Sequence, residues 1–408
     1  MNKLSLIGLP VALISCLVIV SGCDEQNTGG EIPVSDIEFR LEKYGTWDYS
    51  NAVNAVNNDF NYHSDSALIE ALTLNTVEIG ETNCLIMTLG PNVTPGENSR
   101  LFIFNIENPV LPRLISSIVH PDEERKSYLV NDIVIKDGIA YAGLFGDKGL
   151  WMVNITDPAS PVDMGISQVE TNDNVLVYGD YLFSSGQLYN GIIVCDISNP
   201  GNVEEVTRMD IPTRDCCLEI NGNLLFQGIN NILTIYDISS PENPVKLVDF
   251  ELSLSGELST ETGWEGHKMD WSNWAHINDI KVSGHYAYVA FGAGDVRVID
   301  ITNPESPEEI KTAGVGRFAI SLEIENNLLY VTNTDYKNTK IQLDIFDITE
   351  PENLVFVDMV TTETDFIRGG VTFAYCWMRP QITGEYIMIP GMRKIDVFRR
   401  IIIPESEE

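Results

Sequence analysis

Apolar residues along this chain come in short runs, rich in Val, Ile, Leu and aromatic residues and separated by Gly, Asn, Asp and Pro. Runs of four to six such residues predict β-strands, and the small polar residues between them predict turns. Six of these runs end in one pattern: Asp or Asn, then Ile, and Pro four positions after the Asp or Asn. The six Asp or Asn residues are Asn105, Asn154, Asp196, Asp237, Asp300 and Asp347.

The shared ending has a physical reading. An Asp or Asn side chain can accept hydrogen bonds from nearby backbone N–H groups in a turn. Proline lacks an N–H group for a β-ladder, so it ends the strand and fixes the turn. The pattern therefore predicts a repeated strand followed by a repeated turn.

The repeat has the length of a propeller blade. Successive Asp or Asn residues are 49, 42, 41, 63 and 47 positions apart, and each interval holds further short strands, for about four per unit. Four strands in a unit of this length are typical of β-propeller blades. Two divergent units, one near Leu72 and one after Gly384, complete the count. The sequence predicts an all-β, seven-bladed propeller of four-stranded antiparallel blades, with six or eight blades left open and the end strands sharing one blade.

These six repeats resemble the LVIVD-repeat family of surface proteins, whose blades carry a strand reading like Leu-x-Val-x-Asp-Ile-Ser/Thr-x-Pro. The resemblance covers roughly residues 70–400. It implies a propeller of a bacterial surface lipoprotein, and it implies no particular chemistry.

The N-terminus predicts export. Lys3 is followed by an apolar stretch and then by Ser21-Gly22-Cys23, which describes a secretory signal and resembles a lipoprotein processing site with Cys23 as the acylated residue. A retained transmembrane helix and ordinary secretion without acylation are the alternatives. We expect acyl chains on Cys23 to anchor the chain outside the cytoplasm, facing the periplasm or on the cell surface. The predicted parts are a signal peptide (1–22), a lipidated tether and lead-in segment (23–66), the propeller (67–400) and an acidic tail (401–408).

The charge excludes one class of partner. The chain has 60 acidic and 25 basic residues and a net charge of −35, so it has no basic surface for phosphates, and nucleic acid is not expected as a partner. The acidity indicates solubility or, alternatively, attraction of cations or of a basic partner.

The 63-residue interval contains an insertion, Leu252–Trp274. Such an insertion joins the outer strand of one blade to the inner strand of the next, on the face where propeller ligands usually bind. Exposed tryptophans are costly unless they stack on a ligand or a neighbouring loop. Either the insertion binds a protein or carbohydrate, or its tryptophans plug the channel. The candidate binding residues are Trp264, His267, Trp271, Trp274 and His276.

A second candidate site is the channel. Aligning the inner strands on the turn that follows each of them predicts a mostly polar ring. A water-filled channel explains the ring, and a cation such as calcium held by its oxygens is the alternative. The ring consists of Asn75, Asp132, Asn174, Cys217, Asp279, Ser321 and Arg379, and Arg379 would oppose a cation or pair with one of the acids.

Catalytic motifs are not apparent. The sequence contains no HExxH, GxSxG, EF-hand or phosphate-binding glycine loop, and neither a catalytic residue nor a cofactor is predicted. We therefore expect a monomeric binding or scaffolding module. An extracytoplasmic hydrolase, lactonase-like and acting over the channel, and a structural component of an envelope complex are the alternatives.

Overall fold

The computed structural model consists of β-strands joined by turns and loops. All described residues belong to one compact unit, and none of them form a helix long and apolar enough to cross a membrane. The structure describes residues 38–48, 71–89, 100–121, 130–144, 149–169, 174–185, 191–210, 216–253, 276–292, 295–314, 318–335, 340–365, 379–391 and 394–403.

The strands form seven four-stranded antiparallel sheets arranged in a ring, which confirms the predicted seven-bladed β-propeller. In blades 1–6 the strands lie in chain order from the inner to the outer strand. Blade 1 contains β2 (Ala71–Ile79), β3 (Thr82–Leu89), β4 (Arg100–Asn105) and β5 (Arg113–Val119). Blade 2 contains β6 (Val130–Lys136), β7 (Ile139–Leu144), β8 (Leu150–Asn154) and β9 (Val162–Ile166). Blade 3 contains β10 (Val175–Tyr178), β11 (Tyr181–Ser185), β12 (Ile192–Asp196) and β13 (Glu204–Met209).

The remaining blades continue this order up to the last one. Blade 4 contains β14 (Cys217–Asn221), β15 (Leu224–Ile229), β16 (Ile232–Asp237) and β17 (Val245–Glu251). Blade 5 contains β18 (Ile277–Ser283), β19 (Tyr286–Phe291), β20 (Asp295–Asp300) and β21 (Glu308–Gly314). Blade 6 contains β22 (Phe318–Glu325), β23 (Leu328–Asp335), β24 (Lys340–Asp347) and β25 (Val355–Asp365). Blade 7 contains β26 (Gln381–Thr383), β27 (Tyr386–Pro390), β28 (Lys394–Ile403) and, as its outer strand, β1 (Glu38–Asp48).

Blade 7 closes the ring with strands from both ends of the chain. β1 pairs antiparallel with β28, from Glu38 opposite Ile403 to Asp48 opposite Lys394. The shared blade expected from the sequence is therefore present. Its outer strand, β1, comes from within the segment 23–66. In the sequence, residues 36–49 of that segment have enough apolar side chains to pack on the propeller.

Apolar clusters lie between the blades. Each of the seven clusters of buried residues draws on two adjacent blades, and the last one joins blade 7 to blade 1. A single blade cannot bury both of its faces, so the stability of each blade depends on its two neighbours.

The repeated turn works as its sequence predicts. In all six copies the Asp or Asn Oδ1 accepts the backbone N–H of the residue two positions later, at 2.8–3.1 Å. The Ile after it is buried, with at most 4% of its surface exposed. In blades 2–6 the backbone N–H of this Ile donates to a carbonyl in the turn between the first two strands, at 2.8–2.9 Å, and in blade 1 it donates to the carbonyl of Asn83 on β3, at 2.9 Å. In blades 2–6 the motif thus joins two turns of one blade.

These turns should make the stability of the protein depend on pH. Hydrogen bonds from Ser198, Ser239 and Thr302 lower the pKa of Asp196, Asp237 and Asp300. A lowered pKa contributes stability above the unfolded-state value, and this stability is lost as the pH falls through the folded-state value. We expect the melting temperature to fall below about pH 4. Replacing all three residues by Asn, the residue of blades 1 and 2, should make this decline shallower, as thermal unfolding from pH 6 to pH 3 can test. An equally steep decline in the variant would contradict the prediction.

The two faces of the ring differ. Because the strands are antiparallel, the turns within the first and the last strand pair of each blade lie on one face, which we call the turn face. The connections between blades and the loops between the second and third strands lie on the other, the loop face. Turns between the first two strands all have two residues, whereas connections between blades have from 3 to 25 residues.

Candidate functional site

The predicted insertion begins and ends on the loop face. A connection of 25 residues separates β17 from β18, against 3 residues between β21 and β22. Four residues of the candidate binding set lie within this connection and outside the described residues: Trp264, His267, Trp271 and Trp274.

His276 is the one member of that set that the structure describes. It directly precedes β18, its ring is edge-on to Phe318 of blade 6 at 6.1 Å between centroids, and its carbonyl accepts the Gly292 N–H at 2.9 Å. Burial lowers the pKa of His276 to about 4. The imidazole is therefore neutral at physiological pH and can offer a ligand a ring face or a neutral hydrogen bond, but not a charge.

The start of the insertion is fixed by a charged cluster. The Glu309 carboxylate accepts hydrogen bonds from both the backbone N–H and the hydroxyl of Ser253, at 3.2–3.3 Å. Arg297 donates to Glu309 at 2.6 Å and to the Ser253 hydroxyl at 3.0 Å. The end of blade 4 is thus held on blade 5 where the insertion begins.

Arg297 is almost completely buried in this cluster, with 1% of its side chain exposed. Its Nε donates to Asp295 at 2.9 Å, and its guanidinium lies 5.1 Å from the centre of the Phe291 ring. Burial opposes the charge, but Asp295 and Glu309 more than compensate and raise the pKa of Arg297. Burial also raises the pKa of Asp295, which Arg297 offsets in part.

Arg297 was not among the residues predicted from the sequence, although the repeat contains a signal for it. The signal lies three positions before the repeated Asp or Asn. In the other copies this position holds an uncharged residue or, in blade 6, an acid. Blade 5 is the copy that places a cation there, within a run that is otherwise buried. The six residues at this position are Phe102, Trp151, Ile193, Thr234, Arg297 and Asp344.

The seven ring residues occupy equivalent places in the structure, each five positions before the turn that follows the inner strand. Several of them bind the backbone of the next blade, which gives the polar ring a structural role. The contacts are Asn75 Nδ2 to Ile133 O at 3.1 Å, Val175 N to Asp132 Oδ2 at 3.1 Å, Asn174 Nδ2 to Cys216 O at 3.1 Å, and Leu322 N to Asp279 Oδ2 at 2.9 Å.

Arg379 spans part of the channel mouth. It lies two residues before β26, the inner strand of blade 7, yet its Nη2 donates to Asp279 Oδ1 of blade 5 at 2.7 Å. Blade 6 lies between the two, and its ring residue Ser321 is completely buried. Four acids, Asp279 first, then Glu323, Glu219 and Asp132, raise the pKa of Arg379 against the effect of its burial. Of the two roles open to Arg379 from the sequence, the structure shows the pairing with an acid.

A second charged layer lies two residues further along the inner strands. Lys281 of blade 5 lies 3.6 Å from Glu219 of blade 4 and 3.6 Å from Glu323 of blade 6. All three side chains are at most 26% exposed. Burial raises the pKa of Glu219, and Lys281 partly offsets the effect.

The described part of the chain contains no group of three or more His, Cys, Asp or Glu side chains able to hold a metal ion. It therefore offers no set of ligands for the predicted calcium. A hard cation requires several oxygen ligands close together. The described ring residues place Asp279 against Arg379 instead.

Comparison with known proteins supports the repeat and the fold. The model of the LVIVD repeat matches residues 129–169, 171–211 and 276–313, which confirms the predicted resemblance and corresponds to blades 2, 3 and 5. No curated protein matches the chain.

Solved structures share the fold at low identity. A chain of a mitotic checkpoint complex is similar at 11% identity, with a TM-score of 0.56, 93% of this chain covered and 99% of that one. A protein of unknown function from Desulfotomaculum acetoxidans is similar at 16% identity, with a TM-score of 0.50, 71% of this chain covered and 85% of that one. At these identities the likeness concerns the fold alone.

Proposed function

We propose that this seven-bladed propeller with LVIVD repeats is a binding or scaffolding module, tethered to a membrane outside the cytoplasm and using its loop face to hold a protein or carbohydrate partner. The fold and the repeats fit such a module. The tether, the compartment and the partner are inferences from the sequence.

The difference between the two faces is the observation that carries the proposal. The turn face repeats one hydrogen-bonded motif in six blades, whereas the loop face varies in the length and composition of every connection. Loops that vary on a rigid scaffold are where binding residues concentrate. The insertion with three of the six tryptophans of the chain joins two blades on this face, and the Arg297 cluster holds its first residues against blade 5.

The location rests on the first 23 residues. A charged start, an apolar stretch and Ser21-Gly22 before Cys23 support export and acylation. Several acyl chains make a stable anchor, because each buried methylene contributes about 0.8 kcal/mol. With Cys23 as the anchor, the loop face would meet partners in the cell envelope.

Site-specific photo-crosslinking tests the assignment of the face. A photoreactive residue placed at Asp210 or Glu251, both exposed on the loop face, should give crosslinked species in cells. The same residue at Leu111 or Asn243, exposed on the turn face, serves as the matched control. Adducts from the turn face alone, or equally from both faces, would refute the loop face as the binding face. In the same cells, the Cys23→Ser variant should lose acyl labelling and leave the membrane fraction, and a labelled variant would refute the anchor.

A further inference from the structure

We infer that Asp132 receives the cationic group of an organic ligand, a guanidinium or an ammonium, at the mouth of the channel; this inference rests on the proposed binding function of the loop face. It specifies the charge of the ligand and the atom that contacts it.

Asp132 and Asp279 are equivalent in detail. Both occupy the ring position of their inner strands, in blades 2 and 5. In each case Oδ1 accepts the backbone N–H of the following residue, at 2.9 Å for Asp132 and 3.0 Å for Asp279. In each case Oδ2 accepts an N–H from the inner strand of the next blade, at 3.1 Å and 2.9 Å. The two carboxylates are therefore held in the same orientation by the same set of backbone donors.

One of these two carboxylates already binds a guanidinium. Asp279 Oδ1 accepts a hydrogen bond from Arg379 Nη2 in addition to the one from the Ile280 backbone N–H. Each carboxylate oxygen has two lone pairs, so Asp132 Oδ1 retains the same capacity for a second donor. The described part of the chain shows no ion pair to Asp132 at salt-bridge distance, and the residue is partly exposed.

Asp132 and Asp279 lie equally far from Arg379 around the seven-bladed propeller. Blade 7 is two blades from blade 5 in one direction and two blades from blade 2 in the other, because the ring has seven blades. The chain therefore uses Arg379 on one acceptor and leaves the symmetric acceptor to a cation from outside.

The two charged layers of the channel together carry more acids than bases. The acids that face the channel in the two layers are Asp132, Glu219, Asp279 and Glu323, against the bases Lys281 and Arg379. Burial raises the pKa of Asp132 to about 6, with Arg379, two backbone hydrogen bonds and Lys281 opposing the rise. At neutral pH the carboxylate is ionised, and a cation at Oδ1 would compensate for its lost hydration.

An organic cation fits better than a metal ion. The described residues place no second or third acid against Asp132, and a hard metal requires several such ligands. A guanidinium or ammonium needs one well-oriented carboxylate, as the contact between Arg379 and Asp279 illustrates.

Titration of the mature protein with methylguanidinium and methylammonium, followed by amide NMR, tests the inference. We expect saturable shifts of the Ile133 and Val175 amides, which donate to Asp132, and no such shifts with neutral methylurea. Affinity should fall about tenfold from pH 7.5 to pH 5.0, as expected for a carboxylate with a pKa of about 6. Asp132→Asn should abolish the shifts.

Arg379→Gln supplies the decisive comparison. It removes the resident guanidinium, so a second cation should bind and shift the Ile280 and Leu322 amides, which donate to Asp279. Shifts that persist in Asp132→Asn, equal binding of methylurea, or affinity independent of pH would overturn the inference, and so would an Arg379→Gln variant without the second site. If Asp132→Asn does not fold, the pH and methylurea measurements decide. Crosslinking from the loop face together with absent NMR shifts would refute this inference alone and leave the proposed function standing.

Discussion

A chain that begins at residue 49 should fail to form a stable monomeric propeller. It lacks β1, so β28 becomes an exposed edge strand and two interfaces lose a core residue. Trp47 packs between blades 7 and 1, and Leu41 packs between blades 6 and 7. Removing a buried tryptophan side chain costs about 3–5 kcal/mol, a large part of the 5–15 kcal/mol typical of a folded protein.

Asp396 adds to the expected loss. This carboxylate on β28 is fully buried and accepts hydrogen bonds from Lys43 Nζ at 2.8 Å and Thr46 Oγ1 at 2.5 Å. Removal of β1 takes away both of these donors, and a buried charge that loses two hydrogen-bond donors is destabilised. Circular dichroism during thermal unfolding and size-exclusion chromatography should show a much lower melting temperature together with aggregation.

A chain that begins at residue 34 is the matched control, because it is also shortened at the N-terminus but keeps β1. It should unfold as a chain that begins at residue 23 does. A peptide of residues 38–48 added to the shortened chain should restore part of the lost stability by pairing with β28. Equal melting temperatures for the two shortened chains would show that β1 does not stabilise the ring.

Arg297→Ala should lower the free energy of unfolding by about 3–5 kcal/mol, because removing one partner of a buried ion pair leaves the other charge without compensation. Asp295 and Glu309 would both lose their cation, and Ser253 would lose one of its donors. Urea denaturation of the wild type and the variant measures the difference.

Two further variants distinguish the effect of the buried cluster from the effect of losing any one ion pair. Arg208→Ala removes the more exposed pair with Glu205 on blade 3 and should change stability by less than about 1 kcal/mol. Arg297→Met combined with Asp295→Val replaces the pair by apolar side chains and should recover part of the loss. A loss from Arg297→Ala no larger than that from Arg208→Ala would contradict the assigned role of Arg297.

Local signals in the sequence were sufficient for the blades. Each copy of the repeat contains its own turn, because the Oδ1 of residues such as Asp237 satisfies an N–H two positions away. Interactions of this range can be read from a few consecutive residues, so the fold class, the blade count and the shared last blade could be predicted.

The contacts that define the candidate site are long-range, and only the residues that take part in them could be identified from the sequence. Arg379 and Asp279 are 100 positions apart, and their pairing depends on the curvature of a closed ring. Both residues were predicted in the channel ring, but the acid that Arg379 would bind could not be chosen from the sequence. Arg297 was missed because a charged residue in a strand is usually exposed, and its burial depends on Glu309 and Ser253.

The pairing of β1 with β28 also has a consequence for folding. Lys43 and Asp396 are separated by 353 positions, so the first strand has no partner until nearly the whole chain is available. Contacts of such long sequence separation form slowly, and unpaired strand edges favour association in the meantime. In a concentrated refolding mixture, β1 of one molecule can complete the last blade of another, so domain-swapped dimers should be the main by-product and should become fewer on dilution.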